Sequence, residues 1–336
     1  MLTQKQNSRR NRARHGTSLL FALVALFCAS VAQGQQFPTK PIRWIIPLPA
    51  GTLPDGIARL LLEEMGSVLG GRVLIDNRSG ASGIPAIAEL LRAPPDGHTL
   101  LGVDASHWAI LPAIRSDLTY DVMRDFAPVA LVYSTPQFIV VREQLGVRDL
   151  RELIALIRAK PGALQYGSVG TGSISHLSFE SFKAPLGLAV LHIPYKGSTE
   201  TIPALLRGDV SITMIGLPAV LPFAKTGQVR VLASSGGTRF KAAPDIPTIA
   251  EAGGPSDFNM IARFAMVALA GTPRSLIDKI SAAAGKAASN PKVAAHSLAA
   301  NMEMTPSGPE RLLDIFREDI RVFGAAAKAA GIAEGK

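Results

Sequence analysis

The sequence predicts an α/β protein of two lobes joined by two or more crossings, with a ligand cleft between them. Three observations carry that expectation. Short apolar runs bounded by proline or glycine alternate with stretches of helical spacing, the alternation breaks once near residues 128–141, and glycine-rich polar segments fall where strands pass into helices. The 336 residues suffice for about two domains.

The N-terminus reads as an export signal. Residues 1–18 carry five basic side chains and no acid, and Leu19 to Ala32 are apolar but for Ser30. Fourteen residues are too few to span a hydrocarbon core of about 30 Å, and cleavage is expected near Gly34. Removing residues 1–34 takes away five of the 35 basic residues, leaving 30 against 26 acidic ones. That surplus is spread without a Lys/Arg cluster, and aromatics are 6%, so no nucleic-acid partner is expected. The single cysteine, Cys28, falls in the leader, which excludes a disulfide framework and a CxxC site.

Ile42 to Leu48 reads as a buried strand, and residues 55–70 as a helix with Ile57, Leu60, Leu61, Met65, Val68 and Leu69 on one face. Strand 72–76, helix 84–93 and strand 99–103 follow. Three β-α units in a row imply parallel strands in a doubly wound sheet. Residues 128–141 read as two strands joined without a helix, a crossing into a second lobe. A helix at 149–162, a strand into GSVG, a helix from 171, strand 190–194, helix 199–209 and strand 210–217 build that lobe. VRVLASS leads back, and the C-terminal part holds strand 264–269 and two helices, one capped at Thr272 and one opening with the capping-box spacing SGPE. The expected division is 35–132 plus 232–336 for lobe I and 133–231 for lobe II.

Three strand-to-helix loops share a chemistry suited to an anion: PAGTLPD (49–55), GSVGTGSISH (167–176) and PYKGST (194–199). Helix N-termini carry unpaired N–H groups and a partial positive charge, and small residues let a ligand approach them. GSVGTG is not the dinucleotide fingerprint and no Walker lysine follows, so no nucleotide cofactor is expected. The six histidines show no metal-ligand spacing, and no G-x-S-x-G elbow occurs. Ser173 and His176 share a turn, but a catalytic pair would need an orienting acid, and no catalytic residue is assigned. Asp55 reads as a helix-start acid that orders its loop, and His176 as a locally bonded histidine. Ser106, His107 and Trp108 follow the third strand toward the cleft, with packing between lobes as the other reading for Trp108. Arg263 reads as a solvated residue, with a cleft cation as the other reading.

FPTKPIRWIIPLPAG, IDNRSGASG, PPDGHTLL, DFAPVALV, YGSVGTGS, IPYKGS, LLRGDV and PDIPTIAEAG, in that order, resemble the Bug family. These are extracytoplasmic solute receptors of the tripartite tricarboxylate transporter type. The resemblance implies a monomeric periplasmic protein of the two-lobed periplasmic-binding-protein fold (type II-like) that closes over a small organic acid and delivers it to a membrane permease, with neither cofactor nor metal. It implies ligand contacts from Ala50, Gly51 and Thr52 with the neighbouring Asp55, from Ser106, from Ser168, Thr171, Gly172, Ser173 and His176, and from Tyr195, Lys196 and Gly197. Thr52 stands where the family's loop usually has a second glycine, and Pro54 stiffens the same loop. A sensor subunit for a signalling partner and a Ser173-dependent hydrolase are the rival readings.

Overall fold

A computed structural model describes residues 37–332 apart from 52, 300, 301 and 330. The expected leader, 1–34, lies outside the described residues. The chain divides into Met1–Thr39 and Lys40–Lys336, and the architecture below is that of the second unit.

Strand β1 (Ile42–Ile46) is buried on both faces, with Ile42, Trp44, Ile45 and Ile46 fully shielded. Such a strand shows an unbroken apolar run instead of alternation. Helix α1 (Leu53–Leu69) returns over the sheet, burying Ile57, Leu61, Met65 and Leu69 along one stripe. β2 (Val73–Asn77), α2 (Ile84–Leu91) and β3 (Thr99–Asp104) complete the opening units, and β1 pairs in parallel with both β2 and β3. A wide π-type turn (Ser106–Ile110) then leads to β4 (Phe126–Arg142).

β4 corrects one expectation. Residues 128–141 are not two strands but part of one strand of 17 residues. The Ser-Thr-Pro interruption of the apolar run does not end it, because proline is tolerated where its missing N–H is not needed for pairing. Register shifts beside Pro128 and Leu131 bend the strand.

α3 (Leu150–Ala159) starts where the Asp149 carboxylate accepts the Glu152 N–H at 2.9 Å. Then come β5 (Gln165–Ser168), α4 (Ile174–Lys183), β6 (Leu191–Pro194), α5 (Ser198–Arg207), β7 (Ile212–Gly216), α6 (Leu217–Lys225) and β8 (Val229–Ser234). α6 was not foreseen, since its two prolines argue against a helix. Pro218 sits in its first turn, where no N–H is required, and Pro222 one turn later. β9 (Ile261–Leu269) precedes α7 (Arg274–Ala288), α8 (Pro291–Ala299), β10 (Glu303–Ser307) and α9 (Pro309–Ala329). Two helices were expected here. Thr272 does not cap α7, because its hydroxyl donates to the Leu269 carbonyl at 2.7 Å.

The sheet runs β2-β1-β3-β9-β4-β7-β5-β6, with β10 and β8 also paired to β4. Phe126–Pro136 of β4 pair with β9, whereas Gln137–Val141 pair with β7. One long strand therefore pairs with both sets of strands, and the fold is two-lobed. The return path meets β4 at Ser235. Its N–H donates to the Gln137 carbonyl at 2.8 Å, its hydroxyl accepts the Gln137 N–H at 2.8 Å, and the same hydroxyl donates to the Met260 carbonyl.

Candidate functional site

A cleft of about 700 Å³ opens at the carboxyl ends of β1, β2, β3, β5 and β6, where open α/β sheets present their strand-to-helix loops. Each loop is held by its own internal bonds.

Behind β1, Pro47 to Pro49 line the cleft. Buried Asp55 organises this turn: its carboxylate accepts the Gly51 N–H at 2.8 Å, Arg59 Nε at 3.0 Å and Asn77 Nδ2 at 3.0 Å. Burial pushes the carboxyl up, but these donors outweigh it and hold it below the ordinary carboxylate range. The expected loop-ordering role is what the geometry supports, and Asp55 does not itself line the cleft.

The loop after β2 was missed. Ser79, Gly80, Ser82 and Gly83 line the cleft, and Gly80 to Gly83 all have positive φ, including Ala81 at 41° and Ser82 at 53°. Non-glycine residues there cost of order 1–3 kcal/mol each, strain that concentrates at ligand sites. Gly83 has no substitute: a Cβ would stand 2.4 Å from His107 Nε2 and 3.1 Å from Pro47 Cβ. The signal was present as SGASG, a serine-glycine run between strand and helix like the three loops that were singled out.

After β3, Asp104, Ser106 and His107 line the cleft, while Trp108 does not. Trp108 is fully buried, stacks on Phe316 at 4.7 Å and donates to Asp319 Oδ2 at 3.1 Å. His107 Nδ1 lies 2.8 Å from Asp104 Oδ1, the oxygen that also accepts the Ser106 N–H at 2.9 Å. Burial raises the Asp104 carboxyl, but the His107 imidazole and the Ser106 donors more than offset it and hold it low. Arg263 is not solvated as expected. It is 13% exposed and ion-paired at 2.5 Å with Asp319 on α9, whose carboxyl burial pushes up to about 6 despite Arg263 and Trp108.

On the other lobe, Val169 to Ser173 face the cleft. Ser173 caps α4: its hydroxyl accepts the His176 N–H at 3.3 Å and donates to the Gly170 carbonyl at 2.7 Å. His176 is buried, and its Nδ1 accepts the Gly172 N–H at 3.0 Å. Burial, then the nearby His192 and Lys183, push His176 down to about 3, so the ring is neutral. Nothing links Ser173 Oγ to the His176 ring. Ser168 is fully buried and bonds His192 Nε2 at 2.7 Å. Both residues support the glycine loop from behind.

Of the sequence-derived candidates, Ser106, Thr171, Gly172, Ser173, Tyr195 and Lys196 line one cavity, whereas Ala50, Gly51, Asp55, Ser168, His176 and Gly197 do not. Thr52 lies outside the described residues. The backbone N–H groups of Gly172, Ser173 and Lys196 are already used internally, the last by Glu200 at 3.1 Å. Among the described residues, the cleft donors left without a partner include the hydroxyls of Ser79, Ser82, Thr171 and Tyr195 and the Lys196 ammonium. Thr171 and Lys196 come from one lobe and Ser79 from the other. No group of three or more metal-ligating side chains occurs among the described residues, and no helix there is long and apolar enough to cross a membrane.

Known proteins resemble the chain over most of its length. The family described as "Tripartite tricarboxylate transporter family receptor" matches residues 57–328. Protein BugT of Bordetella pertussis is 33% identical over 264 residues, covering 77% of this chain and 81% of that one. An R. palustris protein solved with adipate superposes with a TM-score of 0.78 at 30% identity, covering 88% of this chain and 99% of that one. MatC from Rhodopseudomonas palustris, solved with bound malate, gives 0.74 at 27% identity, covering 86% and 99%. The chain belongs to the tripartite tricarboxylate transporter receptor family, the solute receptors that include the Bug proteins.

Proposed function

We propose that this receptor closes over the carboxylate of a small organic acid at the face formed by Ser79, Thr171 and Lys196, and presents the liganded form to a tripartite tricarboxylate-type permease. The observation that carries the reading is the set of unpartnered donors on opposite walls of one cleft. A carboxylate leaving water needs its hydration replaced by fixed donors, and charge-assisted bonds are about twice as strong as neutral ones. Relatives solved with adipate and with malate hold ligands of this class. Residues 1–34 act as the export leader to the periplasm, the lobes are 35–132 plus 232–336 and 133–231, and the crossing paths near Gln137 and Ser235 serve as the hinge.

We read the protein as a binder without turnover. Ser173 spends its hydroxyl on the Gly170 carbonyl, and His176 spends its only basic nitrogen in reach, Nδ1, on a backbone N–H. A nucleophile and its base would have to face each other.

The test is a thermal-shift screen of residues 35–336 against mono-, di- and tricarboxylates, amino acids and aromatic acids. A ligand at 100 times its Kd stabilises by about 2.7 kcal/mol, a readable rise in melting temperature. Silence across all acids removes the reading.

A further inference from the structure

Among the described residues, one acid lines the cleft. Asp104, at the end of β3, lines the main cavity and also a side chamber of about 80 Å³ that the cleft shares with Ser106, Tyr133 and Arg263. A third of its side chain remains exposed. The Ser106 N–H and His107 Nδ1 both converge on Oδ1, which fixes the carboxylate in place. The cation in the chamber, Arg263, is committed to Asp319. The other exposed charge in the cleft is the Lys196 ammonium, which belongs to the opposite lobe and has no partner among the described residues.

We propose that Asp104 sets the ligand class: the receptor selects carboxylates whose far end donates hydrogen bonds, an ammonium before all, over dicarboxylates of the same length. The inference rests on the carboxylate-receptor reading and deepens it. The cleft presents a cation on one wall and an anion on the other, so its field matches a ligand that is itself dipolar. A carboxylate seated toward Thr171 and Lys196 places its far end toward lobe I, where a second carboxylate meets Asp104. Like charges at contact cost binding, whereas an ammonium there gains a charge-assisted bond. An acid in this position acts mainly by rejecting the wrong far end, which is how similar ligands are told apart most economically.

The experiment titrates the whole mature chain by calorimetry with three matched sets: butanoate, 4-aminobutanoate and succinate; pentanoate, 5-aminopentanoate and glutarate; hexanoate, 6-aminohexanoate and adipate. At the length that binds best, the amino acid is expected to bind at least tenfold more tightly than the dicarboxylate. Asp104→Asn keeps an acceptor for the Ser106 N–H, and is expected to shrink that ratio to about threefold or reverse it, with dicarboxylate affinity unchanged or improved. A dicarboxylate that binds the unaltered protein as tightly as its amino partner overturns the proposal, whether or not the variant folds. So does an unchanged ratio in a folded Asp104→Asn. If the monocarboxylates, amino acids and dicarboxylates all fail to bind either protein, the carboxylate-receptor reading itself falls, an outcome distinct from binding without preference.

Discussion

His176 lies flat against His192, with ring centroids 3.8 Å apart and planes 9° from parallel; His176 is buried in the wall behind the glycine loop and His192 half-buried. Desolvation penalises the charged form of each, and a second cation beside the first would add repulsion. Linkage gives the sign. The unfolded chain binds a proton at His176 near pH 6.5, the folded one only near 3, so stability is full above 6.5 and declines as pH falls between those values. The slope approaches about 1.4 kcal/mol per pH unit for one proton. Asp319 works in the opposite sense, since its folded value near 6 exceeds its unfolded value and stabilises the acid side. The informative quantity is therefore a difference: denaturant midpoints of His176→Asn and of the unaltered protein, followed from pH 7 to 5. The variant is expected to start less stable at pH 7 and to lose less on acidification. Parallel curves would mean that the imidazole is not buried neutral. The supporting role of this residue was legible in sequence as a local bond, but its stack on His192 was not, because the second ring lies 16 positions on, in another strand.

At the scale of elements, β4 and the segment around Ser235 make the passage between lobes. Ser235 is fully buried and serves Gln137 twice, once through its backbone and once through its hydroxyl, which also reaches Met260. Ser235→Ala leaves the Gln137 N–H and the Met260 carbonyl without this partner. An unsatisfied buried group costs about 1–3 kcal/mol. A fall of that size in unfolding free energy is expected from urea titration, and a loss under about 0.5 kcal/mol would show that the clasp is replaceable. Most elements were legible: the apolar runs at Ile42–Ile46 and Thr99–Asp104 and the stripe Ile57, Leu61, Met65 need no tertiary information. What escaped depends on it. β4 stays one strand through Pro136 because neighbours on both sides hold it, and α6 forms despite Pro218 and Pro222 because it packs over β7 and β8. The Arg263–Asp319 pair, 56 residues apart, escaped because an acid on the apolar face of α9 looks like a break in the stripe until its partner is seen.

For the whole molecule, the working event is closure, and a ligand can drive it only by its differential affinity for the closed form. Both walls must therefore touch the ligand, and the loop that carries Thr171 must be free to approach lobe I. Gly172 sits at that meeting point. It has φ 74°, and a Cβ on it would stand 2.9 Å from Ile114 Cδ1 on the other lobe. Gly172→Leu puts a branched side chain into this gap and forces a left-handed conformation costing of order 1–3 kcal/mol. The residue is buried but lies in a turn outside the core strands, so the fold is expected to survive with a moderately lower melting temperature. Scattering from the unaltered protein should show a smaller radius of gyration once the tightest acid from the thermal screen is added at 100 times its Kd. Gly172→Leu should keep the larger radius at the same concentration and bind that acid at least 100-fold more weakly. Since the wedge stands where Gly172 meets Ile114, weak residual binding without contraction is the pattern that marks closure as the source of affinity. Contraction in the variant equal to that of the unaltered protein would instead show that the lobes come together without passing through the contact between Gly172 and Ile114.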